Sequence, residues 1–175
     1  MKLLPLTAHL IMKKLLFILF LLPISQVYAC DCKEMSLLQN QVISKSSSKI
    51  IIIGKLISYD VNNGTYLFQS LEVLKGMILN DTISGRIIDR CSGFPTINGK
   101  WIIYVDSIED GFINFSQCGM SRSFSKPESV RVLEYFIGPP QKSIFTIREQ
   151  QEHELIYHKA KIDLQLEIGE LRLSK

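Results

Sequence analysis

Lys49-Ile50-Ile51-Ile52-Ile53-Gly54-Lys55-Leu56-Ile57-Ser58-Tyr59 is the stretch that decides the fold. Four successive isoleucines leave no polar position for a solvent face, and β-branched side chains favour extended backbone. The run therefore predicts a central strand covered on both sides. Four more apolar, β-branched segments follow, over residues 64–74, 81–90, 99–106 and 111–117. The punctuation between segments is turn chemistry: Asn62-Asn63-Gly64, Lys75-Gly76, Asn80-Asp81, Asn98-Gly99 and Glu109-Asp110-Gly111. Five strands at this spacing predict a small barrel or sandwich, so the fold class is mainly β.

Residues 33–48 are polar with apolar residues at Met35, Leu38, Val42 and Ile43, a stripe that fits a short amphipathic helix. Ser46-Ser47-Ser48 ends it. After Phe124 the character changes again. Pro127-Glu128 opens a predicted helix through Ile137 with Val130, Leu133 and Ile137 on one face, and Gly138-Pro139-Pro140 stops it. Residues 146–160 read as helical, whereas Ile162, Leu164, Leu166 and Ile168 alternate with polar residues as a strand does. No internal repeat is present.

The N-terminus carries an export signal. Met12-Lys13-Lys14 precedes the apolar run Leu15 to Leu22, then Pro23 and Val27-Tyr28-Ala29, which is a basic region, a short hydrophobic core and a small residue at the cleavage point. The run is shorter than the roughly 20 residues a membrane span needs. Residues 1–29 are thus expected to be removed, with Met12 a candidate start, and the mature chain to be secreted or held in the periplasm or cell envelope. The whole chain has 20 basic and 17 acidic residues. Removal of Lys2, Lys13 and Lys14 makes it formally neutral, with no electrostatic footprint for nucleic acid or an anionic membrane.

All four cysteines, Cys30, Cys32, Cys91 and Cys118, follow the signal. An even count in an exported chain reads as two disulfides. A Cys30–Cys32 ring is too small for ordinary geometry, which leaves two pairings, each tying the N-terminus to distant parts of the chain. A zinc site is the competing reading, but Cys-x-Cys lacks the usual knuckle spacing and no histidine lies near a cysteine in sequence.

An export signal ending at Cys30-Asp31-Cys32, five strands and two later cysteines together resemble the netrin-like (NTR) domain of the tissue inhibitor of metalloproteinases superfamily, in its short bacterial secreted form. Ile53-Gly54-Lys55, Val73-Leu74-Lys75-Gly76, Gly99-Lys100-Trp101-Ile102-Ile103-Tyr104, Cys91 and Cys118 also carry the resemblance. It covers residues 30–124 and implies a five-stranded OB-like Greek-key barrel with an N-terminal helix. Residues 125–175 form a largely helical C-terminal extension outside it. The resemblance further implies that Cys30 pairs with Cys91 and Cys32 with Cys118. It also implies that the α-amine and carbonyl of Cys30 can chelate the catalytic zinc of a target protease, because a catalytic zinc keeps an open coordination position. Asp31 and Lys33 flank Cys32 where the inhibitors favour a small residue, and their second cysteine-rich subdomain has no counterpart here.

Three functional readings follow. The first is a disulfide-stapled binding domain whose N-terminal cysteines anchor the chain, with a metalloprotease or another envelope protein as partner. The second makes it a metalloproteinase inhibitor acting through Cys30. The third is a lipoprotein anchored to the membrane through Cys30, since Val27-Tyr28-Ala29-Cys30 loosely matches a lipobox. Lipidation would consume the Cys30 sulfur and block its amine, so it excludes zinc chelation. Tyr59, Tyr66 and Trp101 are candidates for a binding surface, although aromatics at strand spacing usually fill a core.

An enzyme is not expected, and neither is a cofactor. His153 and His158 are five residues apart, where the zinc protease motif needs four. Ser46-Ser47-Ser48-Lys49 lacks the companion motifs of a serine acyl-enzyme. Sequons at Asn63, Asn80 and Asn114 mark positions for exposure.

Overall fold

The computed structural model describes residues 30–135 and 147–174; the export signal expected over residues 1–29 lies outside these. The chain is mainly β, with one helix before the sheet and one after it. Helix α1 spans Leu37–Ser47. The strands are β1 Ile50–Asp60, β2 Thr65–Lys75, β3 Thr82–Arg86, β4 Gly99–Val105, β5 Ser107–Glu109, β6 Phe112–Asn114 and β7 Arg122–Ser123. Helix α2 spans Ile147–Leu173. Their hydrogen-bonded order is β5-β6-β3-β2-β1-β4-β7, one sheet of seven strands with β5 and β7 at its ends. Every pairing is antiparallel except β3 with β6, which is parallel.

The isoleucine run does what its composition requires. As the core of β1 it pairs with β2 on one side and β4 on the other, and its side chains alternate between two separate apolar clusters. Ile50 and Ile52 join Tyr66, Phe68, Trp101 and Phe115. Ile51 and Ile53 join Ile102, Tyr104, Met120 and the inner side of α2. Three register shifts between β1 and β2 bend this long pair, as bulges do.

Two glycines make the aromatic cluster possible. A Cβ on Gly85 would sit 1.8 Å from the Tyr66 ring, and one on Gly93 2.1 Å from the Phe115 ring. The rings of Tyr66, Phe68, Trp101 and Phe115 then meet edge-on or tilted at centroid distances of 5.7–6.4 Å. Tyr66 donates its hydroxyl to the Ile113 carbonyl and Trp101 its indole N–H to the Ile97 carbonyl, so neither polar tip is stranded.

Several expectations are corrected. Seven strands stand where five are expected, because the segment at 99–106 is followed at once by β5 and a two-residue strand, β7, lies beside β4. The segments at 81–90 and 111–117 keep only short strands, β3 and β6. The helix expected over 127–137 is replaced, within its described part, by two single 3-10 turns, Pro127–Ser129 and Leu133–Tyr135. At 162–168 helix wins over strand. Leu164 and Ile168 are one turn apart and buried with Ala160 and Leu171, while Ile162 and Leu166 point outward, so tertiary contact overrides the alternation.

Helix α1 forms within the expected stretch, with most of its apolar stripe facing outward. Ser36 caps it, its hydroxyl accepting from Gln39 N–H while the Gln39 side chain accepts from Ser36 N–H. At the other end the Lys75 ammonium donates to the Lys45 and Ser48 carbonyls. Asn40 and Ser44 are buried, whereas Leu38, Val42 and Ile43 face out. The inward side is polar because it meets polar partners: Asn40 donates to the Cys118 carbonyl and Gln41 to Glu167.

Candidate functional site

Residues 30–35 run without regular structure to the cap of α1. A segment with no ladder of its own must be held by other bonds, and here two disulfides hold it. Cys30 is joined to Cys91 with 5.1 Å between Cα atoms, and Cys32 to Cys118 with 5.3 Å. The bridges touch, the Cys30 and Cys118 sulfurs lying 3.6 Å apart. Cys30 is partly exposed, and Asp31, Lys33 and Glu34 are exposed beside it.

The two receiving loops are braced against each other. Cys91 donates its N–H to Asp89, and its carbonyl accepts from Gln117 N–H. The Ser92 hydroxyl accepts from the backbone of Ile88 and Asp89. Gly93 N–H donates to the Phe115 carbonyl, and Gln117 donates its side chain to the Arg90 carbonyl. Closing loops of 61 and 86 residues, each disulfide contributes about 4–5 kcal/mol in the chain-entropy model. The result is an irregular segment, residues 30–35, fixed on a mutually braced pair of loops.

Beside it opens a groove of ≈ 950 Å³, running from Cys32, Lys33 and Glu34 past Val130 and Leu133 to His153 and Tyr157 on α2. Leu133 N–H donates to the Met35 carbonyl and Leu37 N–H to the Glu134 carboxylate, so the groove wall is tied to the cysteine segment. Tyr135 closes one side, donating its hydroxyl to Asp163 at 2.7 Å; burial first, then this bond, holds its pKa well above the usual phenol range.

A buried ionic cluster fixes α2 behind the site. Arg122 on β7 and Glu167 on α2 are fully buried and form a 2.6 Å ion pair. Glu167 also accepts from the Tyr104 hydroxyl and from Gln41, so strands, α1 and α2 converge on one carboxylate. Burial, and next the Glu167 charge, pushes the Tyr104 hydroxyl far above its usual pKa. Nothing in the sequence linked these four residues, which are polar and widely spaced.

Other sequence candidates separate. Three sulfurs, of Cys30, Cys32 and Cys118, lie within 4.8 Å of one another; all are engaged in disulfides and offer no thiolate to a metal. His153 lines the groove, whereas His158 is exposed, 3.8 Å from Glu154. Five residues of helix put about 140° between them. Tyr66 and Trp101 are core residues rather than a surface, while Tyr59 stays exposed with its ring 5.9 Å from Phe94. Asn63 and Asn80 are exposed; Asn114 is buried. No protein-family model and no curated protein matches this chain.

Proposed function

We propose that this is an exported netrin-like binding module whose disulfide-stapled N-terminal edge, starting at Cys30, engages a protein partner. The single observation behind this reading is that two touching disulfides hold Cys30 and Cys32, partly exposed, on mutually braced loops. A preorganised edge loses little entropy on binding. The adjoining groove gives a partner chain apolar surface next to that edge.

The OB-like barrel belongs to the same reading. Only Asp106 separates β4 from β5, and Asp106 N–H donates to the Asn114 carbonyl beside the β5–β6 pair. Counted as one bent strand, β4 and β5 carry the path β1-β2-β3-β6 back to β1. The parallel β3–β6 pairing supports it, since a five-strand Greek-key path returning in this order needs one parallel step.

The sharper form of the proposal is metalloproteinase inhibition, with the Cys30 amine and carbonyl filling the open position of a catalytic zinc. The Cys30 sulfur bonded to Cys91 favours it over the lipoprotein reading, which needs that same atom. The test compares protein beginning at Cys30 with protein carrying one extra N-terminal alanine against a panel of metalloproteases. Inhibition by the first and not the second is expected. No inhibition by either at micromolar concentration overturns the inhibitor form, and an acyl mass on Cys30 in protein from its own host replaces it with a membrane anchor.

A further inference from the structure

The outer crest of α2 carries an apolar stripe that nothing among the described residues covers. Leu155 is 70% exposed, Ile162 57%, Leu166 62% and Leu173 91%. The 3.6-residue turn places these four on one line, opposite Leu164 and Leu171, which face the sheet. The line is about 27 Å long. On α1, Leu38 and Val42 are exposed next to Gln41 and Lys45, which reach across to Glu167 and Glu170 of α2. Apolar surface thus flanks the seam between the two helices. Contiguous apolar crests of this kind mark association sites.

The spacing of the stripe names its occupant. Reversing the helix about Leu164 lays position 155 on 173 and position 162 on 166, so the stripe is complementary to an antiparallel copy of itself. That self-complementarity is the requirement of a two-fold interface. The charges agree. Lys159 and Glu170 lie on the same flank of the stripe and fall opposite each other in the antiparallel pair; Glu170 is bonded through Oε2 to Lys45 of its own chain and, with its side chain 66% exposed, presents Oε1 to Lys159 of the other copy. In a parallel pair Lys159 and Glu170 would stay about 16 Å apart along the axis. Gly169 lies within the crest, and a Cβ there would meet nothing within 4 Å, which lets a second helix come close.

We infer that a second copy of this chain docks on α2, antiparallel, with Ile162 against Leu166 of the other copy at its centre and Lys159–Glu170 pairs at its rim. Dimerisation leaves the Cys30 edge open, since the crest is the outward side of α2 and the cysteine segment lies on the loops of the sheet.

Sedimentation of the full exported chain, from sub-micromolar to about 100 µM, tests this. The dimer mass is expected at the upper end. Ile162→Glu should raise the dimer dissociation constant about a hundredfold, since the change enters twice and burying one such side chain contributes about tenfold. At concentrations where the chain is monomeric its urea midpoint should be unchanged, because the position is exposed. Mixed chains carrying Leu155→Cys and Leu173→Cys should cross-link to each other, and neither to itself. A monomer at every concentration overturns the inference, as does a dimer indifferent to Ile162→Glu or a self-linking Leu155→Cys chain. A monomer that binds phosphatidylcholine vesicles through the stripe overturns it too and assigns the crest to lipid.

Discussion

The two faces of β1 are built on different principles. Toward Ile50 and Ile52 lies an aromatic core made by the strands and their loops, with glycines admitting the rings. Toward Ile51 and Ile53 lies a layer completed by α2 and crossed by the Arg122–Glu167–Tyr104 cluster. The first face specifies itself through ring shape and two hydrogen bonds from ring tips to nearby backbone carbonyls. The second adds charges that are stable only when paired, and so fixes where α2 sits along the sheet.

The largest expected effect breaks the polar face. Glu167→Ala leaves Arg122 buried without its partner and should lower stability by about 3–5 kcal/mol, read from urea unfolding. Replacing the whole cluster as Arg122→Met, Tyr104→Phe and Glu167→Leu should recover most of that loss, because the paired charges add little beyond a packed apolar set. Failure to recover would mean the cluster supplies more than position. On the aromatic face, Gly85→Ala drives a methyl into the Tyr66 ring and should cost about 1–3 kcal/mol. A neutral result would show that this core yields more easily than its ring contacts indicate.

Between the faces in effect stands Asp106, at the joint of β4 and β5. Burial holds its carboxyl above the ordinary 3.8, outweighing the bond from Ser116 N–H that favours the charged form. A raised folded-state pKa means that the group's contribution is fully present below the ordinary value and lost as pH rises through the folded one. Asp106→Asn, which keeps an acceptor for Ser116, should therefore be more stable than the parent at neutral pH, with the gap closing as pH falls toward 3.8. Thermal unfolding across that range checks the sign. The smallest effect is expected at the surface: Arg172→Ala removes a two-bond contact to Glu72 and should shift the urea midpoint least of the four, with the shift diminishing as salt is added.

Much of the strand layout was legible because it rests on local rules. Ile50–Ile53 and the turns at Asn62-Asn63-Gly64 and Glu109-Asp110-Gly111 each depend on a few neighbouring residues. Asp110 and Gly111 both take positive φ, as such a hairpin turn needs. The four cysteines were equally visible as candidates for the site. Strand β7 and the 3-10 turns were not, since two or three residues carry no period.

Which way α1 and α2 turn their faces was hidden for another reason. The apolar stripe on α1 faces outward because Asn40 and Gln41 find hydrogen-bond partners 78 and 126 residues away, which no window on the sequence contains. By itself the sequence determined a β-rich chain, through side-chain shape and turn chemistry acting locally. Only the tertiary structure decided that β3 runs beside β6, that α2 lies across the sheet, and that Arg122 meets Glu167. Those choices depend on pairing groups far apart in the chain, where each polar atom is costly to bury until its partner is in place.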